Sequence, residues 1–250
     1  MIYYTSSNRY EIKYLLKYNH SALTKKNFSG LLIPSLPHTY YIQTIYFDSS
    51  QYIFYREKIE GLAHRVKPRL RIYRDAPDGP ILNVFLELKY RHNLSIHKER
   101  VEITPRLAIL FLNGNYDSCF EEIQKNRSPV FSKFYYLATK LALKPSLNVV
   151  YYRQAFQSEV YPHIRFTYDT QVQASFTCYD LNIYSNSLTF VLDPRDTILE
   201  IKYNKKLPRI ILNYIALFEI KQLSLSKYAI CLGQKFKSIY DKTPVVFPHF

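Results

Sequence analysis

ILEIKYNKKLP, residues 198–208, sets a glutamate and a lysine two positions apart in a run of apolar and aromatic residues. Successive side chains of an extended strand point to opposite faces, so Glu200 and Lys202 share one face while Leu199, Ile201 and Tyr203 share the other. One such strand is an ordinary half-exposed member of an antiparallel sheet. The alternation recurs, however, through most of the chain. Arg9, Glu11 and Lys13 share a face of RYEIKYLL (9–16), Arg69 and Arg71 a face of PRLRIYR (68–74), and Glu87, Lys89 and Arg91 a face of NVFLELKYR (83–91). Lys98, Arg100 and Glu102 do so in HKERVEI (97–103) and Arg165 and Asp169 in HIRFTYD (163–169), while Arg153 stands in NVVYYRQAF (148–156). With YIQTIYFD (41–48) these make eight strand-like segments.

Two architectures suit this pattern. A single sheet could wrap an ordinary core with its charged face in water, or the strands could close into a barrel with helices covering the apolar faces and the charged faces lining the bore. The charged face is mainly cationic with a few interspersed carboxylates, and the Glu-x-Lys pattern occurs twice, in LELK and LEIK, which favours the barrel. The expected fold is therefore α+β, an antiparallel β-barrel tunnel of about eight strands with flanking helices, in one domain over residues 1–250. Helices are expected from Pro105 to before Gly114, over 129–143, over 208–220 and from Ser226, three of them opened by proline, whose missing N–H is not needed there.

Composition narrows the function classes. The 47% hydrophobic content is ample for a packed core, and 25 Tyr and 16 Phe against 5 Gly favour strands over linkers. A net charge of +14 attracts polyanions, but no run of five consecutive basic residues suggests a nucleic-acid arm, and no specific nucleic acid is expected; KYNKK at 202–206 is the densest patch. Ten or so Arg and Lys side chains confined in a bore repel one another unless a polyanion is present, and a linear chain of phosphates is their natural occupant. Interspersed carboxylates make sense there if they hold Mg²⁺ or Mn²⁺ bridging to phosphate oxygens. No glycine-rich phosphate loop is present, and the seven histidines lack metal-ligand spacing. Cys119, Cys178 and Cys231 are odd in number and widely spaced, which suggests a reducing compartment. The first residues lack a signal-peptide core and no apolar run is long enough to span a bilayer, so the chain reads as cytoplasmic, with docking at the inner face of a membrane through partners left open.

In order along the chain, RYEIKYLL, TIYFDSSQYIFYREKIEG, PRLRIYR, FLELKYR, YYRQAF with IRFTYD, TILEIKYNKKLP and LSLSKYAICL resemble the successive elements of the triphosphate tunnel metalloenzymes, and within them the VTC domain, the polyphosphate polymerase domain of vacuolar transporter chaperone proteins. The resemblance implies that Lys13, Arg69, Arg71, Lys89, Arg153, Arg165, Lys202 and Lys227 contact phosphates, with Ser226 a hydrogen-bond donor beside Lys227. Either Lys98 or Arg100 supplies a further contact. Glu200 is then the metal carboxylate, and Glu11 and Glu87 are either further ligands or partners that orient neighbouring cations, the second being favoured. Asp169 is as readily structural as catalytic. One departure is Thr170, where the family often carries a basic residue, which implies a less cationic acceptor end.

The activity so implied is transfer of the γ-phosphate of ATP to a growing polyphosphate chain, with ATP and polyphosphate as partners, Mn²⁺ or Mg²⁺ as cofactor, and a membrane-protein partner for export. A phosphate oxygen is already anionic and attacks without a base, whereas hydrolysis by an inorganic or nucleoside triphosphatase requires a carboxylate such as Glu87 to orient water. A non-catalytic module that captures polyphosphate or nucleotide is the third reading.

Overall fold

The computed structural model describes residues 3–126, 128–177, 180–183, 187–217 and 221–240. Along them run β1 (Tyr3–Leu16), α1 (Tyr18–Phe28), β2 (Leu32–Asp48), α2 (Ile53–Ile59), β3 (His64–Arg74), β4 (Asn83–His92), β5 (Ser95–Ile103), α3 (Pro105–Leu112), α4 (Tyr116–Asn126) and α5 (Pro129–Lys140). The remaining elements are β6 (Lys144–Ser158), β7 (Arg165–Ser175), β8 (Thr189–Phe190), β9 (Thr197–Tyr203), α6 (Arg209–Leu217) and α7 (Lys227–Tyr240).

The strands pair in the order β6-β2-β3-β4-β5-β1-β9-β7, and β7 returns to β6, so eight antiparallel strands close into a ring; the short β8 lies against β7. Closure lengthens the strands beyond their sequence patterns, because each backbone finds partners on both sides. Thus β2 begins at Leu32, where it pairs with Ser158 of β6, well before the alternating run at 41–48. β7 continues past Asp169 to Ser175, passing through Gln171 in the left-handed region at φ 53°. Expected and observed limits coincide for β9.

The barrel is inside out. Leu70, Ile72, Leu86, Leu88, Val101 and Ile103 point outward and are buried under Leu107 and Phe111 of α3 and Val130, Phe131 and Phe134 of α5. On the opposite wall, Tyr14, Phe166, Tyr168, Leu199 and Ile201 pack with Phe28 of α1 and Ile211 and Ile215 of α6. Burying these apolar faces under helices removes them from water and leaves the alternate positions to the bore.

The cationic lining does not extend through the whole bore. Thr44 and Tyr46 sit opposite Arg71 and Arg69, so β2 contributes inward residues on the same face as the arginines. Ile42, Tyr46, Leu147, Val149, Ala174 and Ile198 form an inner apolar cluster with Tyr228, Cys231 and Leu232 of α7. α7 thus fills one part of the barrel and presents its N-terminal turn to the charged part.

Local chemistry explains the helix starts. Thr104 caps α3 by accepting from Leu107 N at 3.2 Å, and Pro105 and Pro129 occupy first-turn positions. α5 ends at Lys140 rather than at 143, and Ala142 takes the left-handed conformation at φ 46°. Three helices lie outside the expected set: α1 buries only Ser21, Thr24 and Phe28, α2 is seven residues long, and α4 is polar over much of its length. Cys178 and the 218–220 end of the expected helix lie outside the described residues. No helix among the described residues is long and apolar enough to cross a membrane.

Candidate active site

The charged part of the bore is a cavity of about 680 Å³. Lys13 on β1, Arg69 and Arg71 on β3, Lys89 on β4, Lys98 and Arg100 on β5, Arg153 on β6, Arg165 on β7 and Lys202 on β9 all line it. Ser226 and Lys227, at the start of α7, and the carboxylates of Glu11 and Glu200 also reach its surface. Of the residues singled out from the sequence, Glu87, Glu102, Asp169 and Thr170 do not. Glu102, on the same strand face as Lys98 and Arg100, stays at the exposed edge and accepts from Asn83 Nδ2 at 2.7 Å. Thr170 is opposite Tyr152, one residue out of phase with the inward pair Arg153 and Asp169, so it faces away from the bore and does not alter its charge.

Three carboxylate groupings organise the cations. Glu87 is fully buried: its Oε2 accepts from Arg69 Nε at 2.9 Å and Nη2 at 2.7 Å and lies 3.9 Å from Arg71, while Oε1 lies 3.5 Å from Lys98 and 3.9 Å from Arg100. Burial pushes its pKa up, but Lys98, Arg69 and Arg71 outweigh burial and hold it well below the usual carboxylate range. Asp169, also fully buried, accepts from Arg153 Nε at 2.6 Å and Nη2 at 2.7 Å and from Lys227 Nζ at 2.5 Å. It is likewise held low against its burial, by Arg153 and Lys227. Both carboxylates act from behind the cavity wall to orient cations whose remaining N–H groups face inward.

Glu11 and Glu200 form the third grouping. β1 and β9 pair Lys13 with Glu200 and Glu11 with Lys202, so opposite charges sit directly across the strands. Lys89 donates to Glu11 at 2.8 Å, and Lys202 lies 3.4 Å from Glu200. Burial and repulsion from Glu200 push Glu11 up, yet Lys89, Lys13 and Lys202 leave it lowered; Glu200, opposed by burial, is held well below the usual range by Lys13, Lys202 and Lys89. Two ionised carboxylates at the surface of a cavity supply oxygen donors of the type a hard divalent cation takes. The site therefore fits such an ion.

Some of the machinery escaped the sequence reading. Tyr151 points inward between the arginines, accepts from Arg71 Nη2, and has Lys227 Nζ 4.5 Å from its ring centroid. Burial pushes its phenol up, but Arg71, Arg153 and Lys227 outweigh burial and leave it lowered. Lys67, two residues before Arg69 and on its face, also lines the cavity; a strand reading that starts at Pro68 leaves it out, although the alternation Lys67-Arg69-Arg71 is visible in the sequence. Asp48 accepts backbone N–H groups from Ser49, Phe54 and Tyr55 and the hydroxyl of Tyr228, tying the start of α2 to α7. Nothing local signals that tie, because its ends are 180 positions apart.

A closed antiparallel barrel with helices outside and a cationic, carboxylate-bearing bore defines the triphosphate tunnel class. Within it the chain belongs to the VTC domain family, whose sequence profile matches residues 6–236. Among solved structures it is similar to HpAC1 from Hippeastrum, assigned as an adenylyl cyclase with a dominant triphosphatase activity, at 13% identity over 90% of this chain and 96% of that one, with a TM-score of 0.55. PH1819 from Pyrococcus horikoshii OT3 is 15% identical over 91% of this chain and 99% of that one, with a TM-score of 0.49. At these identities the likeness concerns the fold. Nothing among the curated proteins matches the chain.

Proposed function

We propose that the chain is one catalytic unit that transfers the γ-phosphate of ATP to a growing polyphosphate chain with the help of Mn²⁺ or Mg²⁺. Membership of the VTC family and one feature of the site support this reading. The fully buried carboxylates Glu87 and Asp169 are each bonded to several cations and held ionised, so neither is available to take a proton from water. A chain-end phosphate, already anionic, needs no such base.

Glu200 and Glu11 would hold the divalent ion, which when bound would offset negative charge on phosphate oxygens beside the bond that breaks. Arg69 and Arg71, aimed by Glu87, and Arg153, aimed by Asp169, bind phosphate oxygens and absorb charge as the phosphoryl group moves. Lys13, Lys89, Lys202 and Lys227 add point charges along the path, Lys98 and Arg100 both reach it, and Arg165 stands 3.5 Å from the Tyr40 hydroxyl with its charge toward the cavity. Export through a membrane partner and a cytoplasmic site of action belong to the same reading and rest on the family likeness.

Incubation with ATP and Mn²⁺, followed by sizing of the phosphate products on a gel, tests the reaction. Long chains are expected; orthophosphate without chains would make the protein a hydrolase, and no turnover with retained binding would make it a capture module. Arg69→Ala and Arg71→Ala should each weaken tripolyphosphate binding roughly 10- to 100-fold, the loss of a charged hydrogen bond, whereas Lys26→Ala on exposed α1 should leave it unchanged. Equal effects at all three positions would count against a phosphate path through the bore.

Affinity should also depend on pH in the alkaline range. Burial, partly offset by Glu11, lowers Lys89 to about 8, and Lys98, attracted by Glu87 but opposed by burial and Arg100, is also lowered to about 8. Raising the pH through this value removes positive charge from the cavity wall, so tripolyphosphate should bind more weakly on the alkaline side. Titration calorimetry across that range checks the direction, and affinity independent of pH would argue against these two lysines as contacts.

A further inference from the structure

Most cations of the cavity wall have an internal counterion. Arg69, Arg71, Lys98 and Arg100 approach Glu87, Arg153 and Lys227 approach Asp169, and Lys13, Lys89 and Lys202 approach Glu11 or Glu200. Lys67 differs. Its Nζ donates to Ser226 Oγ at 2.6 Å and lies 5.6 Å from the ring centroid of Tyr228, both on α7, and among the described residues no carboxylate forms an ion pair with it.

The charged groups that act on it most strongly are all cations. Lys13 faces it from β1, Lys58 from α2, Arg69 along its own strand, and Lys89 from β4, where it is the direct cross-strand partner. Burial and these four cations hold the Lys67 ammonium well below the ordinary lysine range. Ser226, which also caps the first turn of α7 by accepting from Ala229 N at 3.3 Å, keeps its hydroxyl proton available to a ligand in the cavity.

We propose that Lys67 is a further phosphate-binding residue, paired with Ser226, and that it takes up a proton when a phosphate chain enters the cavity. The inference rests on the reading of the cavity as a phosphate-chain site. A chain placed beside Lys67 supplies the counterion that the protein does not, and the proton comes from solvent: the amine lone pair forms an N–H bond, no other bond breaks, and the resulting ammonium meets a phosphate oxygen. Substrate binding is thereby coupled to protonation at the junction of β3 and α7.

The test is calorimetric titration of metal-free protein with tripolyphosphate, near pH 8, in buffers of different ionisation enthalpy, which counts protons taken up on binding. Wild type should take up about half to one proton more than Lys67→Met. Lys89 and Lys98 also gain protons, and because Lys89 is coupled to Lys67 their share is bounded by comparing Lys67→Met with Lys67→Arg, uncharged and charged at the same position. Lys67→Arg, which stays charged, should bind within about threefold of wild type and show the same reduced uptake as Lys67→Met. Uptake in Lys67→Arg or Lys67→Met equal to that of wild type would overturn the proposal while leaving the cavity's ligand in place. Absence of any tripolyphosphate binding by the wild type would instead overturn the phosphate-site reading beneath it.

Discussion

Glu87→Gln should lower the thermal unfolding midpoint by roughly 10 °C, and tripolyphosphate should restore much of the loss. Removing one member of a buried charge cluster typically costs about 3–5 kcal/mol, because the partners stay buried without compensation. At this chain length that corresponds to roughly 6–20 °C. The partners here are Arg69, Arg71, Lys98 and Arg100, all within 4 Å of one carboxylate. A polyanion in the cavity can neutralise the same four cations from the other side, so the variant should gain more from ligand than wild type does. An unchanged midpoint, or equal ligand stabilisation of both proteins, would show that Glu87 does not hold the cluster together. The pH dependence has a defined sign. Glu87 has a depressed pKa in the folded state, so its contribution is complete above the ordinary carboxylate range and is lost as the pH falls through the lower folded value.

Glu200→Gln should separate catalysis from binding. Metal-dependent turnover of ATP is expected to fall by roughly 100-fold or more, in line with the loss of a group that positions charge stabilisation at the reacting phosphate. Metal-free binding of tripolyphosphate should persist and even tighten, because Lys13, Lys202 and Arg153 all lie within 4 Å of Glu200 and would lose part of their internal counterion. Initial rates with and without Mn²⁺, beside calorimetric affinities, distinguish the two effects. Full metal-dependent turnover in the variant would remove Glu200 from the metal site; loss of binding together with turnover would point to a structural role instead.

Which side chains share a face was legible because strand alternation is a local property. The Glu200-Lys202 face, the Arg69-Arg71 face and the Lys89-Arg91 face each follow from a period of two, whatever the strand pairs with. The stripe of α5 was equally local: Val130, Phe131, Phe134 and Ala138 repeat at helical spacing and are buried together. α1 was illegible for the converse reason, since its buried face consists of two small polar residues and one phenylalanine. α2 owes its start to Asp48, whose carboxylate accepts the Phe54 and Tyr55 N–H groups from outside the helix. No apolar repeat announces such an interaction.

By itself, then, the sequence determined which side chains share a face, that the chain carries excess positive charge on those faces, and close to where α3, α5, α6 and α7 begin. The tertiary structure decided that Glu87 lies behind the wall among four cations while Glu11 and Glu200 face the cavity, although all three occur in similar charged strand patterns. It also decided that α7 fills part of the bore and that Lys67 meets Ser226 across 159 positions. The physical reason is range: alternation is imposed within a few residues by backbone geometry, whereas counterions, burial and the filling of a bore depend on which distant strands and helices closure brings together.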